Sequence, residues 1–232
     1  MPDVPTAAAH RTDAPAAAPG QATLWVLLSG TFVTVLDFFI VAVAVPSIEA
    51  DLGASPPQLQ WVVAAYGLAF ATLLIPCGRL GDQFGRRRLY GLGLLVFVAA
   101  SVGCGLAPDA GTLIAARALQ GVGSAMIAPQ VLGMLTTLYG GAARARAFAT
   151  YGLVLGLAAT FGQLIGGLLI AWNPAALGWR ACFLINPLLA APALLSMRRV
   201  LPTSPRAATR RFDVVGILLL GVGLAGLVWA LI

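Results

Sequence analysis

Seven runs of apolar residues divide the chain, at about 24–46, 59–78, 89–107, 112–136, 147–171, 180–198 and 214–232, each near the roughly 20 residues a helix needs to cross a bilayer. The connectors between them are short and rich in glycine, proline or charge, which leaves almost no chain for a soluble domain. Lipid gives a backbone no water to bond with, so segments of this kind satisfy their own amides as helices. The pattern therefore predicts an all-α polytopic membrane protein. Residues 1–23 are rich in Ala and Pro and lack the apolar patterning of a core, so they read as a disordered tail. The first apolar run exceeds the 7–15-residue core of a signal peptide and follows a long polar stretch, which marks a retained span. The last run stops at Ile232 with no closing loop, and this abrupt end reads as a truncated polypeptide.

Composition strengthens the membrane assignment. Charged residues make up 9% of the chain and hydrophobic residues 59%, with a mean hydropathy of +0.92, whereas soluble domains carry about 25% charged residues. A net charge of +6 would point to nucleic acid in a soluble chain, but here the arginines follow the connectors. Placing the tail and the second, fourth and sixth connectors on one side gathers Arg11, Arg79, Arg86, Arg87, Arg88, Arg144, Arg146, Arg198, Arg199, Arg206, Arg210 and Arg211 there, against Arg180 alone opposite. Positive residues mark the cytoplasmic face, so the amino terminus is expected in the cytoplasm. Trp25, Trp61, Trp172 and Trp179 fall near span ends, where interfacial aromatic anchors are expected. Cys77, Cys104 and Cys182 show no metal-type spacing and read as packing residues, and the lone His10 lies in the tail.

Two charges remain inside the spans. Asp37 lies about thirteen residues into the first run, on a face with Gly30, Thr34, Val41 and Ala44 at helical spacing. Arg117 in the fourth run heads a stripe of Gln120, Gly121, Ser124 and Ala128. With the first span running outward and the fourth inward, the two lie roughly 15 Å and 9 Å below the outer helix ends, at similar depth. Ionisable residues within a membrane mark functional sites by default, and these two are candidates for proton coupling or a substrate cavity. A fixed ion pair that merely holds two helices in register is the alternative. The fifth run carries Gly152, Gly156, Ala159, Gln163 and Gly166 along one face, flanked by Gly162 and Gly167; small residues let helices approach closely, and Gln163 is expected to meet another helix or the cavity. Between the second and third runs, residues 78–88 combine three glycines with five charges and read as a tight cytoplasmic loop. Its Arg86 to Arg88 suit anionic head groups, and Asp82 lies just ahead of the third helix.

These residues resemble the major facilitator superfamily, and within it the fourteen-helix drug:proton antiporters. The family's loop motif G-x-L-a-D-r-x-G-r-r is matched by Gly78, Leu80, Asp82, Gly85, Arg86 and Arg87, with Gln83 at a commonly basic position. Its fourth-span motif is matched by Leu113, Arg117, Gln120, Gly121 and Gly123, and its first-span motif by Leu36, Asp37, Ala44 and Pro46, although Phe39 and Ala42 replace the usual Thr and Asn. The fifth-span antiporter motif G-P-x-x-G-G appears as Gly162-Gln163-Leu164-Ile165-Gly166-Gly167, with Gln for Pro. Trp179-Arg180 through Asn186-Pro187 is similar to a further family pattern, one residue shorter before the proline.

The resemblance implies an amino-terminal six-helix transporter bundle over 24–199, built as two inverted three-helix repeats, then a basic cytoplasmic loop at 200–213 and a seventh transmembrane helix at 214–232. It implies that substrate binds between this bundle and a missing carboxy-terminal one, against which the Asp82 loop would latch. The expected function is proton-coupled efflux of drug-like or amphipathic molecules across the cell membrane, driven by the proton gradient without a cofactor or metal. The partners are then the lipid bilayer, protons and a small-molecule substrate, with no nucleic acid. The alternatives are a symporter or facilitator of a small polar metabolite, and a fragment that transports nothing. A seven-span receptor or photoreceptor is disfavoured by the expected orientation, and the absence of Lys removes any retinal Schiff base. No histidine, metal cluster or nucleophile–base pair lies in the spans, so the chain is not expected to be an enzyme.

Overall fold

A computed structural model describes residues 20–203 and scattered helical positions between 215 and 230. Six long helices follow one another: α1 (Gln21–Leu52), α2 (Pro56–Phe84), α3 (Arg86–Gly105), α4 (Ala110–Leu138), α5 (Gly141–Trp172) and α6 (Ala181–Val200), with two short 3-10 turns, Pro174–Ala176 and Gly178–Arg180, before α6. All six regions are long and apolar enough to cross a membrane, and no strand occurs among the described residues. The protein is thus an all-α polytopic membrane protein. The tail as far as residue 19, the basic loop from residue 204 and most of the seventh span expected at 214–232 lie outside the described residues.

Local chemistry sets the helix ends. Pro56 occupies the first turn of α2, where its missing N–H costs nothing, and the Ser55 amide donates to Gln58 Oε1 at 2.9 Å. Asp109 caps α4 by accepting from the Thr112 amide at 2.8 Å, and this bond holds its carboxyl below the usual carboxylate range. The expected loop at 78–88 is not a loop. Helix α2 continues to Phe84, Gly85 alone breaks it with φ 97°, and Arg86 already belongs to α3. A charged, glycine-bearing sequence stays helical here because α2 and α3 need only one left-handed residue to reverse direction, and glycine supplies it.

Packing follows an exchange between the two halves. Helix α1 lies chiefly against α5 and α6, while α4 lies chiefly against α2 and α3. Swapping α1 with α4, α2 with α5 and α3 with α6 maps one set of pairings onto the other, as two inverted three-helix repeats require. The buried side chains form two large apolar clusters. One, with Leu27, Tyr90, Phe97 and Met134, occupies the arginine-rich end; the other, with Ile40, Ile48, Leu113 and Phe183, occupies the opposite end. Each of α1, α3, α4 and α6 passes through both, and between the clusters each contributes a polar side chain.

A buried ion-pair network as candidate functional site

That polar layer centres on Asp37 and Arg117, both wholly buried, whose Oδ2 and Nη1 lie 2.5 Å apart. The other carboxylate oxygen accepts from Gln120 Nε2 at 3.0 Å and from Asn186 Nδ2 at 2.5 Å. Ser101 Oγ accepts from Gln120 at 2.7 Å and from Asn186 at 3.3 Å, which ties α3 into the same network. Arg117 also donates from Nε to the Val62 carbonyl of α2 at 3.1 Å and from Nη1 to Gln120 Oε1 at 2.8 Å, and Cys104 donates its thiol to that same oxygen at 3.2 Å. Five helices therefore converge on one carboxylate and one guanidinium.

An ion taken out of water costs several kcal/mol even after the protein relaxes, and a pair survives burial only when its remaining donors and acceptors are met. The network meets most of them. The guanidinium carbon also stands 4.6 Å above the Tyr66 ring and 5.8 Å from that of Phe183, so aromatic faces supply negative potential to the buried cation. Arg117 Nη2 and Asn186 Oδ1 are buried without a hydrogen-bond partner among the described residues, which leaves bonding capacity inside the layer.

Tyr66 links this layer to a cleft. Its hydroxyl donates to the Thr34 carbonyl at 2.9 Å and accepts from Ser124 Oγ at 2.6 Å, and its ring lines a space of about 390 Å³ between α1, α2, α4 and α5. Phe38, Phe39, Phe70 and Tyr151 make the cleft aromatic, with Thr31 and Thr34 as its polar edge. Such a surface suits a flat apolar molecule with a few polar groups.

The remaining residues singled out in the sequence separate into distinct places. Gln163 is exposed on α5 and does not join the network, and Gly152 and Gly156 face open space beside it. Gly162 and Gly166 instead turn toward α1, where a methyl group added to Gly162 would fall 2.7 Å from the Leu36 carbonyl and one on Gly166 2.8 Å from Ile40. Gly167 contacts neither. The predicted small-residue stripe is thus split between a packing edge and an open face. At the arginine-rich end, Asp82 pairs with Arg86 at 2.8 Å across the Gly85 break, and the Arg86 guanidinium lies against α4 where Gly133 leaves room. Gly78 approaches Pro129 of α4. Arg87 donates to the Arg198 and Leu201 carbonyls at 3.4 and 3.0 Å, closing the end of α6. Arg86 and Arg87 thus serve the bundle itself, and Arg79 and Arg88 stand exposed.

Sequence reasoning missed Asn186, Ser101, Tyr66 and Cys104. Asn186 carried a signal, since an amide within an apolar run must find a partner in the bundle. Trp179, expected as an interfacial anchor, is 2% exposed, packs edge-on against Phe183 and donates from Nε1 to Asp51 at 3.0 Å. Arg180 pairs with the same carboxylate and stacks on the Trp179 ring, so these residues lock the starts of α6 and the end of α1 together. Trp172 is 80% exposed at the last residue of α5.

Six membrane-length helices paired as an inverted repeat, with a charged midlayer and an adjoining aromatic cleft, define a polytopic helical membrane bundle. The sequence model of the Major Facilitator Superfamily matches residues 27–221, and the chain belongs to that family. It is 44% identical over 209 residues to the puromycin resistance protein pur8 of Streptomyces alboniger, covering 89% of this chain and 41% of that protein. It is 38% identical to a probable actinorhodin transporter of Streptomyces coelicolor (91% and 36% covered) and 41% identical to the cephamycin export protein CmcT of Amycolatopsis lactamdurans (83% and 40%). The chain spans about two fifths of the length of these relatives. A bacterial homologue of the human lysosomal transporter Spinster, in an inward-facing and occupied conformation, shares the fold with a TM-score of 0.68 at 21% identity, over 81% of this chain and 45% of that one.

Proposed function

We propose that residues 24–199 form one bundle of a proton-coupled exporter of amphipathic small molecules, with Asp37 as the proton-carrying group and Arg117 as its electrostatic counterpart. The observation that carries this reading is the single carboxylate held by α1 against donors from α4 and α6, one aromatic ring away from the cleft. The names of the relatives, which refer to resistance to or export of antibiotics, support a substrate of that chemical kind.

Protonation of Asp37 removes the charge that holds α1 to α4. Arg117 keeps the Val62 carbonyl, Gln120 and two aromatic faces, so its charge remains accommodated while α1 is released. A carboxylic acid can then donate, and Asn186 Oδ1 has the spare capacity to accept. Helix α1 also carries Thr31, Thr34, Phe38 and Phe39 of the cleft, so a shift that follows the proton alters the substrate surface. Proton and substrate thereby bias one structural element, which is the condition for coupling. The aromatic lining favours this over carriage of a small polar metabolite, most of whose polar groups it would leave without partners. In the proposed arrangement the substrate is enclosed by a second bundle, the arginine-rich end faces the cytoplasm, and the Asp82–Arg86 pair joins the contact between bundles.

The test uses inside-out vesicles from cells carrying the gene. Asp37→Asn should reduce lipophilic-cation uptake driven by a pH gradient to background while the cation still binds. Gradient-driven uptake at the wild-type rate would show that the ion pair only fastens helices.

A further inference from the structure

A trough of about 710 Å³ runs down the outside of the bundle between α3 and α6, starting at the arginine-rich end. Arg88 and Arg198 flank its head, and Leu92 and Leu95 from α3 with Leu194 and Leu195 from α6 line the stretch below. No acidic residue lines it among the described residues. Arg88, Leu92 and Leu95 follow one another at i, i+4 and i+7, so the apolar part extends about 10 Å from the charged end. We propose that this trough binds one anionic phospholipid, with its phosphate between Arg88 and Arg198 and an acyl chain laid along the leucines.

Three features build the site. Arg87 donates to the carbonyls of Arg198 and Leu201, which fixes the first turn of α3 to the last turn of α6 and uses Arg87 inside the protein. Arg88 and Arg198 are both exposed, and both line the head of the trough. Met197 reaches the α3 backbone at Gly91, where any Cβ would collide with its thioether, and this contact gives the trough a floor. The amino end of α3 and the carboxyl end of α6 meet here with opposing helix-end potentials, so the two arginines carry the positive potential. The occupant is identified by the joining of the two halves: the arginines select an anion, and the exposed Leu92, Leu95 and Leu195 beneath them match a hydrocarbon chain. Free phosphate would use only the head.

The experiment places the purified protein in nanodiscs of phosphatidylcholine with a rising fraction of phosphatidylglycerol and counts retained lipid by native mass spectrometry. One phosphatidylglycerol should be held in preference to phosphatidylcholine. Arg88→Gln/Arg198→Gln should weaken retention about thirtyfold, the loss expected for two arginines at an anionic surface. Both side chains are exposed and the Arg198 carbonyl survives, so thermal melting should not change; the single Arg88→Gln variant, expected to lose about fivefold, provides the same reading independently. Leu95→Asp should expel the lipid as well. Equal retention of both lipids, indifference to the arginine substitutions, or displacement of the lipid by millimolar inorganic phosphate with Leu95→Asp without effect would each overturn the proposal.

Discussion

Asp37 Oδ1 and Oδ2 divide their bonds unequally, and the division predicts which partner matters more. Among the described residues Arg117 supplies the only positive charge within the layer, whereas Asn186 and Gln120 supply dipoles to one and the same carboxylate oxygen. Loss of Asn186 leaves that oxygen with Gln120; loss of Arg117 leaves a buried carboxylate without a cation. Interhelical hydrogen bonds in membrane bundles average well under 2 kcal/mol, so Asn186→Ala should cost about 1 kcal/mol. Arg117→Ala should cost about 3–5 kcal/mol, because breaking one side of a buried pair strands the other. Unfolding by detergent titration measures both, and equal losses would mean that the charge is balanced elsewhere. The same residues show why the site was half legible in the sequence. A formal charge in an apolar run has few uses, so Asp37 and Arg117 were visible from position alone. Serine and tyrosine occur in spans for many reasons, and only the tertiary contact singles out Ser101 and Tyr66.

Helix α5 shows what periodicity specifies and what it leaves to the neighbours. Spacing put Gly152, Gly156, Gln163 and Gly166 on one stripe, but the packed edge of α5 is Val154, Ala158, Gly162 and Gly166, and the other positions lie beside it. A helical wheel fixes relative angles; which angle faces α1 depends on the rest of the bundle. Gly162→Val must displace the Leu36 carbonyl and Phe39 Cβ, both part of α1 beside Asp37, and overpacking of this kind costs about 1–3 kcal/mol. Gly156→Val, entering open space, should leave the melting temperature of the purified protein within error of wild type. If Gly156→Val proves the more damaging of the two for stability, α5 packs by its other face. The junction of α2 and α3 misled for a related reason. Composition marked residues 78–88 as a turn, whereas backbone geometry needed only Gly85 to depart from the helix, so polar character reported an end of the membrane rather than an end of the helices.

At the scale of the whole molecule, the helices sort the described arginines outside the buried layer into two sets. Arg79, Arg86, Arg87, Arg88, Arg144, Arg146, Arg198 and Arg199 all lie at the end where α2, α4 and α6 finish, and Arg180 at the other end is matched by Asp51. The matched arginine adds little to the field at its end, so the asymmetry is sharper in three dimensions than a residue count conveys. Positively charged connectors resist transfer across the membrane, which predicts that the arginine-rich end lies in the cytoplasm. Cysteine labelling can check this without removing native thiols, because Cys77, Cys104 and Cys182 are all buried. Pro57→Cys places a thiol at the exposed start of α2, and Gly140→Cys places one at the exposed junction of α4 and α5. In intact cells a membrane-impermeant maleimide should label the first and spare the second, and permeabilisation should make the second reactive. The reverse pattern would invert the bundle, move the Asp82–Arg86 pair to the outer face and require a proton to reach Asp37 from the cytoplasm through the end closed by Trp179 and Phe183.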